Sequence, residues 1–107
     1  MREVDLPTFA SARADGAMVI DVREPREYLS GDVPGAQLIP MGQLASRLAE
    51  IPRKSPVYVI CASGNRSSSM TSFLVQAGYN AWSVAGGTSA WISADMPVVV
   101  GRHANVA

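Results

Sequence analysis

Residues 57–67, with the sequence VYVICASGNRS, combine a predicted strand, a turn and the start of a helix. Its first four residues, 57–60, include three β-branched side chains and predict a buried strand. Gly64 permits a tight turn shortly after this strand. Beyond the turn, apolar side chains recur at helical spacing, at Met70, Phe73, Leu74 and Ala77. A buried strand that passes through a tight turn into a helix is the building unit of a parallel α/β sheet.

The segments on either side continue the alternation of strands and helices. Strands are predicted at 4–6, 18–21, 36–39 and 81–84, and helices at 7–14, 25–28, 41–48, 66–77 and 89–94. The strands are mostly apolar, which favours a parallel sheet buried on both faces. The predicted fold class is α/β, a three-layer α/β/α arrangement with a central, mostly parallel sheet of about five strands. Spacing alone leaves the strand order open.

Composition bounds the kind of protein. With 107 residues, 48% of them apolar and 17% charged, we expect one domain over 1–107, ending in a tail of undefined structure at 97–107. Nine basic and nine acidic residues cancel, which argues against nucleic acid and membranes as partners. The charged N-terminus and the lack of a long apolar stretch predict a cytoplasmic protein. The oligomeric state is not defined by these features.

Cys61 is the candidate nucleophile. It follows the strongest strand, and sites in parallel sheets lie beyond the carboxyl ends of strands. The turn can aim backbone N–H groups at one point, the following helix adds its N-terminal dipole, and Arg66 adds a full positive charge. These surroundings favour a thiolate and an anion beside it. We therefore expect Cys61 to react and a substrate-binding or anion-binding loop of Ala62, Ser63, Gly64, Asn65, Arg66 and Ser67.

The remaining inventory limits the chemistry. Cys61 is the only cysteine, so it can form neither an internal disulfide nor a thiolate metal site, and we expect no metal and no cofactor. The only histidine, His103, lies in the predicted tail, so the thiol must be activated without an imidazole. A thiol exposed in such a loop is open to oxidation. The alternative interpretation of Cys61 is a small buried apolar residue.

Charged residues after the second strand offer support for the loop. Asp21 and Arg23 could position the loop through ion-paired hydrogen bonds, although a buried scaffold pair is the favoured interpretation. Glu27 could pair with Arg23 or Arg66. An interpretation of Glu27 as a solvated helix residue is at least as good.

Small polar residues near the turn are better explained by structure than by chemistry. Ser63 and Asn65 are favoured as residues that satisfy the loop backbone, and the serines at 67–69 as helix caps. The glycine pair at 86–87 could approach the loop closely or merely turn the chain.

Three segments together resemble rhodanese-like domains. The first is DVRE at 21–24 with EY at 27–28 and GDVPGA at 31–36, the second is CASGNRS at 61–67, and the third is GGTSAW at 86–91. The resemblance implies an α/β fold and a sulfurtransferase. Cys61 would take sulfur from a small anionic donor such as thiosulfate, hold it as a persulfide, and pass it to cyanide or a thiol. A sulfur-acceptor protein is a further partner that the resemblance implies.

The loop also separates related activities. Four residues lie between Cys61 and Arg66, one fewer than in the related phosphatases, so phosphatase and arsenate reductase chemistry are disfavoured. Ala62 replaces a residue that is often basic or polar in the family, which predicts poor use of thiosulfate. Asp32 stands where the family usually has histidine, at a position we interpret as structural. A docking or sulfur-relay module with little turnover is the alternative function.

Overall fold

Residues 2–101 are the part of the chain that the computed structural model describes, and His103 lies outside it. This part contains five strands, β1 (Glu3–Val4), β2 (Met18–Asp21), β3 (Gln37–Leu38), β4 (Val57–Ile60) and β5 (Ala81–Val84). Its four α-helices are α1 (Leu6–Ala14), α2 (Pro25–Ser30), α3 (Asn65–Gln76) and α4 (Gly87–Ser93). A 3₁₀ segment covers Met41–Glu50.

The strands form one parallel sheet in the order β1-β5-β4-β2-β3. β4 lies at its centre, where Val57 pairs with Met18 on one side and with Ala81 on the other. The predicted parallel sheet of about five strands is confirmed. Because β4 is central, the turn that follows it opens between the segments that follow β2 and β5.

The two faces of the sheet carry separate cores. Alternate residues of a strand point to opposite faces, so Val59 packs on one side of β4 and Ile60 on the other. The first face is covered by α3 and the 3₁₀ segment, which contribute Leu74 and Leu44. The second is covered by α1, α2 and α4, which contribute Phe9, Tyr28 and Trp91. This is the three-layer α/β/α arrangement that the sequence predicts.

Most element boundaries follow the sequence pattern, and the deviations have local causes. Strands β2, β4 and β5 coincide with the predicted ranges. β1 is two residues long because Asp5 leaves the strand to cap α1, its Oδ1 accepting the N–H of Thr8 at 2.9 Å. α4 begins at Gly87, two residues earlier than predicted.

The helix predicted at 41–48 is a 3₁₀ segment instead of an α-helix. It lies between two prolines, Pro40 and Pro52, and begins with an i→i+3 hydrogen bond from Gln43 N to Pro40 O. A kink at Arg47, with φ −118° and ψ 21°, interrupts it. Leu44 is buried and Leu48 partly buried as the periodicity predicts, but Met41 is 37% exposed, because the periodicity did not distinguish the tighter helix.

Residues 97–101 of the predicted tail lie against α2 and the turn after it. Val99 and Asp32 exchange two backbone hydrogen bonds of 2.9 Å. Trp91 donates its Nε1–H to the carbonyl of Pro97 at 2.7 Å, and Gly101 donates to the carbonyl of Leu29.

None of the helices among residues 2–101 combines the length and the apolar character needed to cross a membrane.

Candidate active site

Cys61 lies directly beyond the end of β4, in the turn that leads into α3. Gly64 ends this turn as the N-cap of α3 and has φ +109°, a left-handed conformation that favours glycine. The turn folds the backbone back over the thiol. As a result, the first N–H groups of α3 face the sulfur atom.

Backbone N–H groups surround the Cys61 sulfur. Gly64 N lies 3.1 Å and Ser67 N 3.3 Å from Sγ, and both donate to it. The Ser67 hydroxyl lies 3.4 Å from the same atom. Such converging donors at a helix N-terminus form a site for a negative charge. The arrangement therefore stabilises a thiolate without a cationic group on the sulfur itself.

Two opposing influences set the pKa of the Cys61 thiol. Burial is the largest single influence and raises this pKa, because a thiolate loses hydration. Hydrogen bonds from the Ser67 hydroxyl and from the N–H groups of Ser67, Gly64 and Ser63 lower it. Together these hydrogen bonds outweigh the burial, so the pKa of Cys61 lies below its ordinary value.

The expectation of an exposed thiol is wrong. Cys61 is 1% exposed and belongs to the core cluster that also contains Val59 and Leu74. Its side chain points toward the face of the sheet that α3 covers, because its register continues that of Val57 and Val59. Ser63 and Asn65 are exposed on the rim of the loop, and Ala62 is partly buried.

A second serine lies behind the first. The Ser83 hydroxyl, on β5, is 2.8 Å from the Ser67 hydroxyl, and both side chains are buried. The Ser67 hydroxyl is also 3.2 Å from the carbonyl of Gly64. Ser83 was not among the site residues predicted from the sequence. Its signal was a lone hydroxyl in the otherwise apolar buried strand AWSV.

The N-terminus of α4 holds the outer side of the loop. The backbone N–H of Thr88 donates to the carbonyl of Cys61 at 2.8 Å, and the Thr88 hydroxyl donates to the same carbonyl at 3.0 Å. The backbone N–H of Ser89 donates to the carbonyl of Ala62 at 3.0 Å. A Cβ on Gly87 would lie 2.5 Å from the Cys61 oxygen. The glycine pair therefore makes the close approach that the sequence left open, and it fixes the loop carbonyls away from the sulfur.

Arg66 and Glu27 form a two-pronged ion pair across the mouth of the loop. Arg66 Nη1 and Nη2 donate to the two carboxylate oxygens of Glu27 at 2.7 and 2.9 Å, and each side chain is 34% exposed. The hydrogen bonds from Arg66, together with the N–H of Glu24, lower the pKa of Glu27 to about 2. The same pairing raises the pKa of Arg66. The interpretation of Glu27 as a solvated residue is wrong, because α2 directs its side chain onto α3.

Asp21 and Arg23 form a second, buried ion pair beside the first. Asp21 accepts hydrogen bonds from the backbone N, Nε and Nη2 of Arg23 at 2.8–3.1 Å. Arg23 Nη2 also donates to the carbonyl of Gly31 at 2.9 Å. These bonds join the end of β2 to the end of α2, the helix that carries Glu27.

Among residues 2–101, no group of three or more metal-ligating side chains could hold a metal ion.

Comparison with known proteins shows the family to which this fold belongs. The family model of the rhodanese-like domain matches residues 6–94. A sulfurtransferase of Allochromatium vinosum is 32% identical over 102 residues, which cover 92% of this chain and 95% of the relative. The thiosulfate sulfurtransferase GlpE of Pseudomonas entomophila is 35% identical over 82 residues, 76% of this chain and 75% of the relative.

A solved structure is similar over almost the whole chain. A rhodanese-related protein from Thermoplasma volcanium superimposes with a TM-score of 0.87 at 34% identity, covering 94% of this chain and 99% of that one. The chain therefore belongs to the rhodanese-like domain family. Within the family it is a rhodanese-type sulfurtransferase.

Proposed function

We propose that the protein moves sulfane sulfur from a small donor such as thiosulfate to a thiol or cyanide through a persulfide on Cys61. The Cys61 thiolate attacks the outer sulfur of thiosulfate, a Cys61 S–S bond forms, and the donor S–S bond breaks. Sulfite leaves with the electron pair of the broken bond. A nucleophilic acceptor then attacks the outer sulfur, and Cys61 returns as the thiolate.

The observation that carries this proposal is the pair of N–H groups, from Gly64 and Ser67, directed at Sγ. A group that carries sulfur in two steps is a thiolate when it attacks, a persulfide between the steps and a thiolate again when it leaves. Fixed dipoles that face Sγ stabilise the thiolate both when it attacks and when it leaves, without rearrangement. A structural cysteine would need none of them.

The loop residues have separate roles in this proposal. The N–H groups of 62–67 and the side chain of Arg66 bind the anionic part of the donor. Ala62 contributes backbone only, so its position adds no cation. Asp21 and Arg23 support the site indirectly, because they hold the helix that carries Glu27.

The test is the intact mass of the protein after incubation with thiosulfate. We expect the native protein to gain one sulfur atom, about 32 Da, on its single cysteine, and to lose it again on addition of cyanide. The variant Cys61→Ser is the control and should gain nothing. A gain of equal size in both proteins, or a gain that cyanide does not reverse, would contradict a persulfide on Cys61.

A docking or relay module with little turnover is the second candidate. The burial of Cys61, at 1% exposure, favours it, because a small donor must reach a covered sulfur. A docking role needs no lowered thiol pKa, whereas sulfur transfer does. If sulfur is loaded onto Cys61 as fast as it is released to cyanide, this candidate is excluded.

The cytoplasmic location, the absence of a cofactor and a single domain over the whole chain remain predictions of the sequence.

A further inference from the structure

The charged groups around the loop are compensated in pairs. The loop 61–67 contains one charged side chain, Arg66, and that side chain faces Glu27. The nearest cation after β2 is Arg23, and it is buried against Asp21. Position 62, next to the nucleophile, is an alanine. The site therefore attracts anions with backbone N–H groups, while its cationic charge is cancelled by a carboxylate at the same place.

The carboxylate is fixed independently of Arg66. Glu27 Oε1 accepts the backbone N–H of Glu24 at 3.0 Å, so the N-terminus of α2 holds the carboxylate in place. The end of the same helix is held by the bond from Arg23 to the carbonyl of Gly31. Glu27 would therefore stay beside the loop as a negative charge if Arg66 turned toward a donor. Within the pair, the hydrogen bonds from Arg66 and from the N–H of Glu24 lower the pKa of Glu27 to about 2, so the carboxylate that faces Arg66 is ionised at neutral pH.

We propose that Glu27 determines the donor preference of this sulfurtransferase: by cancelling Arg66 it favours organic persulfides, which carry one charge or none, over the thiosulfate dianion. This inference rests on the proposed persulfide on Cys61. Thiosulfate places two charges close to the loop, so it gains from a free guanidinium and is repelled by a carboxylate. An organic persulfide needs little more than the N–H groups that stabilise its transferred sulfur.

The chemistry balances for both donors. With thiosulfate, the Cys61 thiolate takes the outer sulfur and sulfite dianion leaves, so a total charge of minus three is kept. With the anion of an organic persulfide, the thiolate attacks the outer sulfur, the S–S bond breaks, and the donor leaves as a thiolate, so a total of minus two is kept. No external oxidant or reductant takes part in either step.

The variant that tests the proposal is Glu27→Gln. Glutamine keeps an Oε1 that accepts the N–H of Glu24, so α2 retains its cap while the charge is lost. We expect the kcat/KM for loading from thiosulfate, divided by that for mercaptoethanol persulfide, to rise about tenfold, the effect of removing one charge a few ångströms from a dianion. Most of the change should lie in the KM for thiosulfate. The increase in this ratio should be smaller at high salt, because dissolved ions screen the charge of a half-exposed carboxylate.

The chain offers a matched control in Glu50→Gln. Glu50 forms the same two-pronged pair with Arg47, at 2.7 and 2.9 Å, on the 3₁₀ segment. This substitution removes the same charge from the whole protein but not from the loop. The ratio of the two donors should be the same in Glu50→Gln and in the native protein.

The outcomes separate the two proposals. A donor ratio that is unchanged in Glu27→Gln, or a gain of equal size in Glu50→Gln, would overturn the role of Glu27 and leave the persulfide on Cys61 intact. A native protein that already prefers thiosulfate to mercaptoethanol persulfide would overturn it as well. If neither donor places sulfur on Cys61 in any variant, the persulfide carrier itself is refuted, and the donor preference falls with it.

Discussion

Ser67 has one hydroxyl proton and three possible acceptors for it. These are the Cys61 sulfur at 3.4 Å, the Gly64 carbonyl at 3.2 Å and the Ser83 hydroxyl at 2.8 Å. If Ser83 donates its own proton to Ser67, the Ser67 proton is free to point at the sulfur. A thiolate at Cys61 favours this order, because it is the strongest acceptor of the three. Ser83 then supports the thiolate through Ser67 and not by contact.

Removing either hydroxyl should raise the pKa of the Cys61 thiol. For Ser67→Ala we expect the larger rise in this pKa, because the thiolate loses the hydrogen bond from the hydroxyl that contacts it. For Ser83→Ala the rise should be smaller, since Ser83 acts through Ser67. Ultraviolet absorbance of the thiolate against pH measures this directly, because the chain has one cysteine.

Thr71 provides the matched control for these serines. It lies on α3 one turn beyond Ser67, and its hydroxyl is buried without a hydrogen-bond partner in the described part of the chain. Thr71→Val should leave the pKa of Cys61 unchanged and should not lower stability, since no hydrogen bond is lost.

A double variant tests whether Ser83 acts through Ser67. In a Ser67→Ala background, Ser83→Ala should not raise the pKa of Cys61 further. A full additional shift there would show that Ser83 acts on the thiol by another route.

At the scale of elements, α4 determines the shape of the active loop. Gly87 has φ +57°, and a Cβ there would lie 2.5 Å from the Cys61 oxygen and 2.7 Å from the Ala62 oxygen. These are the carbonyls that Thr88 and Ser89 hold. Any side chain at position 87 must therefore push the loop away from α4 and turn the N–H groups off the sulfur.

Gly87→Ala should lower both stability and sulfur loading. The left-handed backbone and the overpacking together should reduce the free energy of unfolding by about 3 kcal/mol or more. Gly35→Ala is the control, because Gly35 has φ +88° with nothing within 4 Å of a Cβ, so only the backbone penalty of about 1–2 kcal/mol applies. Denaturant unfolding gives the stabilities, and intact mass gives the loading of the folded protein. Normal loading in Gly87→Ala would mean that the loop does not depend on α4.

The elements show what local sequence can and cannot predict. Strands β2, β4 and β5 were predicted because a strand buried on both faces is a continuous apolar run. The loop after β4 was predicted from the cysteine, the glycine and the helix that follows. The hydrogen bonds that Thr88 and Ser83 form near the loop were not predicted, and the pairing of Glu27 with Arg66 was only one of the open interpretations, because these bonds join segments that are 16 to 39 residues apart. Their proximity follows from the strand order, which spacing does not contain.

At the scale of the whole molecule, the strand order explains where the site lies. The chain leaves β2 toward β3 on one side of the sheet, and it leaves β4 toward β5 on the other. A crevice forms between two strands whose connections diverge in this way. Glu27 follows β2 and Arg66 follows β4, so their ion pair spans this crevice. The pair at its base, Asp21 and Arg23, belongs to β2 and the segment after it.

The two ion pairs should contribute very differently to the stability of the molecule. Glu27→Gln should lower the free energy of unfolding by less than about 1 kcal/mol, because the pair that it breaks is half-exposed. Asp21→Asn should lower it by about 3–5 kcal/mol, since Arg23 stays buried with an uncompensated charge. In a domain of this size the second change corresponds to a fall in Tm of more than about 10 °C, which differential scanning calorimetry would measure.

The same pair of variants distinguishes support of the fold from support of the chemistry. Below its lowered Tm, Asp21→Asn should keep the native ratio of thiosulfate to persulfide loading, because Asp21 pairs with Arg23 and not with Arg66. Glu27→Gln should change this ratio while leaving the Tm almost unaltered. If Asp21→Asn changed the donor ratio as strongly as Glu27→Gln, the charge at the end of β2 would act on the donor directly. The buried pair of Asp21 and Arg23 would then be part of the active site instead of a structural support for it.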